Sequence, residues 1–230
     1  MTSTRLPGKI FKEVNHKPLL QYHIDRLKQT DFDIAIATTT NSTDDILCEF
    51  AEKKNIKFYR GSENNVLSRY YETAVKYDFD IIVRVTSDCP LIDPYLIQNC
   101  VAKYIKLNNS NLYMSNGIER TFARGFDFEI FSFQSLKEAF QNATVESDIE
   151  HVTPYIWKNR SGKIEFYNVT QTTNNSRLRI TVDTIEDFEL IKQLIEKHNA
   201  ASLAYNEIEN LLIQHSELAK LNAHIEQKKV

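Results

Sequence analysis

The sequence predicts an α/β fold, in which a mostly parallel sheet is covered by helices. Short runs rich in Val and Ile alternate with helical patterns along the chain, and this alternation is typical of parallel strands joined by helices. Of the 230 residues, 42% are hydrophobic and 26% are charged, so the chain can bury a sizeable core. No repeat, low-complexity tract or long linker divides it. We therefore expect one domain over residues 1–230.

The positions of the elements follow from the period of the hydrophobic residues. The predicted strands cover residues 33–38, 57–60, 80–85, 112–114, 126–131, 163–169 and 179–182. The predicted helices cover residues 66–77, 134–141 and 185–197, and others begin near Ile46, Pro94, Ser147 and Asn206. In the strand 126–131, the alternation places Asp127 and Glu129 on one face. Three aromatic residues of this segment are assigned either to the core or to the surface of a homodimer, namely Phe126, Phe128 and Phe131.

The composition argues against several classes of function. A formal net charge of -3 disfavours non-specific nucleic-acid binding, which needs a strong basic field. No apolar run approaches a membrane span and no apolar signal segment is visible, so we expect a cytoplasmic protein. The three cysteines lack metal-ligand spacing and suit a reducing compartment. We interpret Cys89 as a small, half-buried apolar residue rather than as a nucleophile.

The segment Ser3-Thr-Arg5-Leu-Pro-Gly-Lys9 is the first candidate site. Its two cations are four residues apart, and Gly and Pro shape the turn between them, which suits a phosphate-binding loop. It is not a Walker A sequence, and an unstructured chain end is the alternative. No predicted strand precedes this loop, although ligand loops of α/β sheets emerge from strand ends. We therefore expect the sheet to lack its first strand.

Two aspartates follow predicted strands. Asp88 comes after the strand 80–85 and Asp183 after the strand 179–182, at the carboxyl ends where open sheets bind ligands. Mg²⁺ prefers one or two carboxylates together with substrate phosphates, so these aspartates are candidate magnesium ligands. The alternative for Asp183 is to cap the next helix.

Neighbouring polar residues have simpler interpretations as helix caps. Asp93 directly precedes Pro94 and is expected to be a helix N-cap. Thr184 could cap the helix near Ile185 in place of Asp183, and Asp187 is expected to complement the dipole of that helix.

The segment from Glu119 to Glu129 carries a second group of charges. Arg120 and Arg124 could bind an anionic substrate such as a carboxylate, while Asp127 and Glu129 contact hydroxyl groups. The alternative is an exposed charged hairpin, in which ion pairs contribute little. The nearby pair Glu150-His151 is interpreted as structural.

Taken together, these segments resemble the cytidylyltransferases, a group that includes the synthetases of CMP-activated ulosonic acids. Within that group, the sequence is most similar to the spore coat polysaccharide biosynthesis protein F type. The similarity covers about residues 1–194. The segments that carry it are Ser3–Lys9, Arg60-Gly-Ser62 with Val66–Tyr70, Ser87–Asp93, Arg124–Glu129 and Thr181–Asp187.

The resemblance implies a GT-A-like, Rossmann-type three-layer α/β/α fold with a mostly parallel mixed sheet, CTP as the donor and Mg²⁺ as the cofactor. It places Ser3, Arg5 and Lys9 at the triphosphate and Thr38, Thr39 and Arg60 near the base and ribose. It places Asp88 and Asp183 at the metal, and Arg124, Asp127 and Glu129 at the sugar. Residues of about 118–170 would form a sugar-binding or dimerisation insertion, and residues of about 200–230 would form C-terminal helices.

The resemblance also implies a reaction. A hydroxyl of an acidic sugar would attack the α-phosphorus of CTP and release pyrophosphate, with Arg5, Lys9 and Asp88 as the catalytic residues. Family members begin with an apolar strand before the first loop, and this sequence does not show one. Two alternatives are a glycosyltransferase that uses a nucleotide-sugar and a shortened, inactive subunit that only binds a partner or a sugar.

Overall fold

The computed structural model describes residues 5–227 and confirms the α/β class. The strands in this range are β1 (Glu13–Val14), β2 (Lys17–Pro18), β3 (Ala35–Thr39), β4 (Lys57–Gly61), β5 (Ile81–Arg84), β6 (Leu112–Ser115), β7 (Glu129–Ser132) and β8 (Glu165–Asn168). The α-helices are α1 (Leu19–Leu27), α2 (Asp45–Lys53), α3 (Val66–Tyr77), α4 (Pro94–Leu107), α5 (Phe133–Asn142), α6 (Glu146–His151), α7 (Pro154–Trp157), α8 (Ile185–His198), α9 (Tyr205–Gln214) and α10 (Ser216–Lys220). Ser3 lies outside the described residues.

The prediction of a mostly parallel, mixed sheet is confirmed in part among the described strands, since β5, β6 and β8 run in the same direction. β3 and β4 pair in parallel, and so do β6 and β8. β7, however, lies between β5 and β6 and is antiparallel to both. The connection from β6 to β7 contains no helix, so the chain turns back beside β6 instead of crossing over the sheet as a parallel connection does.

Residues 179–182 form no regular strand, which corrects the prediction there. This segment has only an isolated bridge between Arg124 and Arg179. Single backbone bonds attach it to two loops, since the Ile180 amide donates to the Arg124 carbonyl at 2.7 Å and the Val182 amide donates to the Asp88 carbonyl at 2.8 Å. Ile180 and Val182 are fully buried. Their alternation therefore reflects packing into the core rather than a strand ladder.

Side-chain caps fix the helices that border the candidate site. The Asp93 carboxylate accepts a hydrogen bond from the Leu96 amide at 2.7 Å, which confirms it as the N-cap of α4. Thr184 caps α8, and Asp187 completes a capping box with it. Because Thr184 takes this role, the Asp183 side chain is not needed as a cap.

The aromatic residues of the segment before and within β7 belong to the core. Phe126, Phe128 and Phe131 are at most 1% exposed, which settles their assignment in favour of the interior. In the described part of the chain, no helix has the length and apolar character needed to cross a membrane.

A groove separates β3 from β5. Among the described strands, β3 pairs only with β4 and β5 pairs only with β7, so one edge of each strand has no partner there. The groove has a volume of about 460 Å³ and its lining includes Ala35, Ala37, Ile81 and Val83. It is therefore an apolar slot between two unpaired strand edges.

Candidate functional site

A cleft opens at one edge of the four-stranded sheet. β5, β6 and β8 run in the same direction, and their carboxyl ends meet the start of β7 at this edge. The cleft has a volume of about 760 Å³, and Arg84, Ser115 and Glu129 lie where these strands end or begin. The carboxyl ends of strands are where open α/β sheets bind ligands.

The structure brings Lys9 to Asp88 and Asp183, two aspartates that line this cleft. The Lys9 ammonium donates to Asp88 Oδ2 at 2.8 Å and to Asp183 Oδ1 at 2.8 Å. Arg5 pairs with the second oxygen of Asp183 at 3.1 Å. Residues far apart in sequence thus form one cluster in which cations and carboxylates alternate.

The loop that carries Arg5 and Lys9 is held by the core. Leu6, between them, is 8% exposed and belongs to the largest hydrophobic cluster, which also contains Val182. Gly8 adopts a left-handed conformation with φ of 64°, and its carbonyl accepts a hydrogen bond from the Phe11 amide. This turn directs Lys9 toward the two aspartates.

The charges of the cluster stabilise one another. Burial alone would lower the pKa of Lys9, but Asp88 and Asp183 outweigh it and raise that pKa above 10.5. Burial would raise the pKa of Asp183, but Lys9 and Arg179 outweigh it and lower that pKa below 3.8. At neutral pH, Lys9 is therefore an ammonium and Asp183 a carboxylate.

A buried network holds Asp183 in place. Arg179 donates to Asp183 at 2.7 Å and to Asp187 at 2.8 Å. Two residues near the end of the described chain complete the network, since Asn222 donates to Asp187 at 2.8 Å and Gln227 accepts from Arg179 at 2.6 Å. Asp187 does more than complement a helix dipole, because it also fixes Arg179.

The Asp88 loop is anchored through its backbone. His23 Nδ1 lies 2.8 Å from the Cys89 carbonyl, and the Asp88 carbonyl accepts from the Val182 amide. Cys89 is 2% exposed, and burial raises the pKa of its thiol well above 9.0. It therefore stays protonated, which supports its interpretation as a packing residue.

Two arginines of the segment 118–129, Arg120 and Arg124, also line the cleft. Arg120 forms an ion pair with Asp127, which also accepts from the Gly125 amide at 2.8 Å. Arg124 lines the same cleft, and among residues 5–227 its guanidinium has no hydrogen-bond or ion-pair partner. Burial and the charge of Arg120 lower the pKa of Arg124. An anion bound to Arg124 would offset the burial of its charge and its repulsion by Arg120.

Glu129 is held by three protein donors. It accepts hydrogen bonds from Arg84 and Tyr113, and from Thr153 at 2.7 Å. Burial, together with the charge of Glu129, raises the pKa of Tyr113 well above 10.0, so its phenol remains a donor. The sequence pattern identified Glu129, but its three partners come from elements that only the fold brings to it.

The residues expected near the base and ribose do not line this cleft. Thr38 and Thr39 both donate to Asp44, at 2.8 and 2.7 Å. Arg60 donates to the carbonyls of Thr39 and Asn41 and pairs with Asp45 at 2.7 Å. The structure therefore places these three residues in a separate polar network at the ends of β3 and β4.

Two aromatic residues that sequence reasoning did not assign lie in the cleft wall. Trp157 and Phe166 are 40% and 45% exposed and line the cleft together with His151. Trp157 is the only tryptophan of the chain, and exposed aromatic side chains beside polar groups are frequent in binding sites. The presence of a single tryptophan was therefore the signal in the sequence that could have indicated this part of the cleft wall.

The two aspartates fit a hard divalent cation. Both carboxylates already contact one cation, the Lys9 ammonium, and Mg²⁺ commonly binds through one or two carboxylates with phosphates and water. Within residues 5–227 there is no cluster of three or more His, Cys, Asp or Glu suited to a metal. Substrate phosphates and water would therefore supply the remaining ligands.

Comparison with known proteins identifies relatives along the whole chain. A model of the cytidylyltransferase family matches residues 1–229. The spore coat polysaccharide biosynthesis protein SpsF of Bacillus subtilis is 31% identical over 86% of this chain and 83% of its own length. A 3-deoxy-manno-octulosonate cytidylyltransferase of Francisella tularensis is 25% identical over 89% of this chain and 85% of its own length.

A solved structure agrees with these matches. A cytidylyltransferase from Leptospira borgpetersenii superimposes with a TM-score of 0.90 and 32% sequence identity, covering 100% of this chain and 95% of its own.

Proposed function

The chain belongs to the cytidylyltransferase family, and from this premise we propose that it transfers CMP from CTP to an acidic sugar in the synthesis of a surface polysaccharide or glycan. One observation carries the proposal. The cleft is lined by two carboxylates that bind Lys9 and suit a triphosphate with its metal, and also by Arg124, whose guanidinium has no partner among residues 5–227. These are the recognition groups that a nucleotide donor and an anionic acceptor require.

Lys9 is the residue that changes partners in the proposed reaction. In the structure it neutralises Asp88 and Asp183. When the triphosphate enters, the Lys9 ammonium would turn to the phosphate oxygens, and Asp88 and Asp183 would then hold Mg²⁺. Bound there, magnesium would supply positive charge that stabilises the pyrophosphate leaving group. Arg5, whose side chain is 30% exposed beside Asp183, is placed to bind the same phosphates.

The chemical step is a displacement at phosphorus. A sugar hydroxyl forms a bond to the α-phosphorus and releases its proton to water, while the bond from that phosphorus to the bridging oxygen breaks and pyrophosphate leaves. Such a step asks the protein mainly for alignment and charge stabilisation. Lys9 and Arg5 stabilise the departing negative charge, and Arg179 keeps Asp183 in position through its 2.7 Å hydrogen bond.

The acceptor side is assigned to the segment 118–170. Arg124 binds the anionic group of the sugar, and Arg120 adds positive charge next to it. Asp127 and Glu129 are held by protein donors, so we assign them chiefly to shaping this wall, with their remaining lone pairs open to sugar hydroxyls. Ser3, Thr38, Thr39 and Arg60 remain the expected nucleotide contacts.

A pyrophosphate-release assay tests this function. The protein is incubated with CTP, Mg²⁺ and 3-deoxy-manno-octulosonate. This acid is chosen as the probe because one of the relatives is a 3-deoxy-manno-octulosonate cytidylyltransferase. Asp88→Asn should lower turnover by about 100-fold or more, while Asp31→Asn, an exposed aspartate outside the cleft, should behave as the wild type. Near-normal turnover by Asp88→Asn would refute the metal assignment.

Thermal unfolding separates the enzyme from an inactive binding subunit. CTP with Mg²⁺ at a hundred times its Kd should stabilise the protein by about 2.7 kcal/mol. Stabilisation by CTP without pyrophosphate release would favour a different reaction on the same fold, such as transfer from a nucleotide-sugar.

The groove between β3 and β5 supports the proposed GT-A-like, Rossmann-type sheet. A further strand in this slot would satisfy the unpaired edges of both neighbours, and its aliphatic lining suits a buried strand. To test this, the chain is extended before Met1 by a short segment rich in Val and Ile. The extension should raise Tm relative to one in which alternate residues are Asp, and equal Tm values would contradict the proposal.

A further inference from the structure

A buried glutamate of the C-terminal helix α9 reaches the segment that carries Arg124. Glu209 is 1% exposed, and its Oε1 accepts a hydrogen bond from the Ala123 amide at 2.7 Å. Its Oε2 accepts from Gln171 at 2.8 Å and from Asn175 at 2.7 Å. All three donors are neutral, and none of the ion pairs in the described part of the chain includes this carboxylate. Burying a carboxylate without a cation is costly unless its hydrogen bonds are complete.

The two amide side chains link Glu209 to the same segment a second time. Gln171 donates to the Thr121 carbonyl at 3.0 Å, and its backbone amide donates to the Thr121 hydroxyl at 3.0 Å. The backbone amide of Asn175 donates to the Thr121 carbonyl at 2.7 Å. Glu209 therefore joins residues 121–123 and residues 171–175 into one unit.

This unit determines where Arg124 stands. The backbone of Arg124 is fixed on its other side, since its amide donates to the Leu178 carbonyl at 2.9 Å and its carbonyl accepts from Ile180 at 2.7 Å. The Ala123 amide, one residue earlier, is the group that Glu209 binds. The guanidinium itself has no partner among the described residues, so its position depends on the backbone beneath it.

We propose that Glu209 is a positioning residue for the acceptor: it holds the Thr121–Arg124 backbone so that Arg124 presents its guanidinium to the anionic group of the sugar. The inference rests on the proposed function, because it needs an anionic acceptor at Arg124. It assigns to the C-terminal helix a role in substrate recognition rather than only in stability.

Steady-state kinetics with CTP, Mg²⁺ and 3-deoxy-manno-octulosonate test the proposal. Glu209→Ala leaves the buried Ala123 amide without an acceptor, so the KM for the acid should rise roughly 5- to 100-fold, with the KM for CTP unchanged. Glu209→Gln keeps the shape and one acceptor oxygen, and should give a smaller rise in the same direction. Asn210→Ala, an exposed position one residue further along α9, is the matched control and should resemble the wild type.

Hydrogen exchange provides a readout that does not depend on the reaction. Residues 121–125 should lose protection in Glu209→Ala and in Glu209→Gln, but not in Asn210→Ala. Unchanged protection there would overturn the proposal, and so would a parallel rise of both KM values. If the wild type transfers no CMP, the proposed function fails. In that case, lost protection of residues 121–125 in the Glu209 variants would still show that Glu209 holds the backbone of Arg124. Normal protection would show that Glu209 does not hold it.

Discussion

Gly125, between Arg124 and the start of β7, should not tolerate a side chain. Its φ is +114°, and a Cβ there would lie 2.7 Å from Ile180 Cγ1, 2.8 Å from the Ile180 carbonyl carbon and 2.9 Å from the Thr181 amide nitrogen. Two of these three atoms belong to the backbone and cannot turn away. Gly125→Ala must therefore either strain this contact or push the backbone around Gly125 away from residues 180–181.

The expected cost has two parts. A residue with a Cβ pays roughly 1–2 kcal/mol for this backbone conformation, and forcing a methyl group into a packed contact costs about 1–3 kcal/mol. The free energy of unfolding should therefore fall by roughly 2–5 kcal/mol. For a chain of this size, about 2–4 °C are lost per kcal/mol, so Tm should fall by roughly 4–20 °C.

Gly162 provides the matched control. Its φ is +73°, but a Cβ there would meet nothing within 4 Å. Gly162→Ala therefore has only the conformational cost of a Cβ at positive φ. Both variants share the entropic effect of replacing Gly in the unfolded chain. Calorimetry gives the loss of Tm in each variant. The larger loss expected for Gly125→Ala reports the close packing of Gly125 against residues 180–181. Equal losses of Tm would refute the described contact.

Three further outcomes follow from the charges of the cleft. Arg124→Gln should raise the KM for the acid roughly 10-fold or more without changing the KM for CTP, and an equal rise of both would contradict its assignment to the acceptor. Glu129→Gln should lower the free energy of unfolding by about 1–3 kcal/mol, because one of the two carboxylate oxygens that accept from three donors becomes an NH2 group. An unchanged urea midpoint would contradict this. Without ligand, the Lys9 ammonium contributes stability at pH values below 10.5 that is lost as the pH rises through its raised pKa. Asp183 contributes stability above pH 3.8 that is lost as the pH falls through its lowered pKa. Lys9→Met should flatten both limbs of the stability profile, and an unaltered profile would contradict the cluster.

Local patterns predicted the elements whose signals lie within a few residues. The helix predicted at roughly 66–77 is confirmed as α3, since its apolar period is a local signal. Asp93 was identified as an N-cap because Pro94 follows it. Asp88 and Asp183 were identified because each follows an apolar run, and the structure brings both to Lys9.

Long-range pairing was beyond the sequence patterns. An alternating apolar run such as residues 179–182 looks the same whether it pairs in a ladder or packs into a core. The antiparallel position of β7 between β5 and β6 could not be predicted from the Asn116-Gly117 turn signal, because 13 residues separate β6 from β7 and the turn does not determine which strand becomes the partner. Likewise, Thr38 and Thr39 follow a strand as Asp88 does, but Asp44 occupies their hydroxyl groups.

Pyrophosphate release from CTP in the presence of Mg²⁺ tests the central claim most directly. With 3-deoxy-manno-octulosonate or a related sugar acid, the wild-type protein should release pyrophosphate and form the CMP-sugar in equal amounts. Lys9→Met and Asp88→Asn should each lose about 100-fold or more of this turnover while keeping a cooperative thermal transition. Undiminished turnover in both variants would contradict a triphosphate site built from Lys9, Asp88 and Asp183.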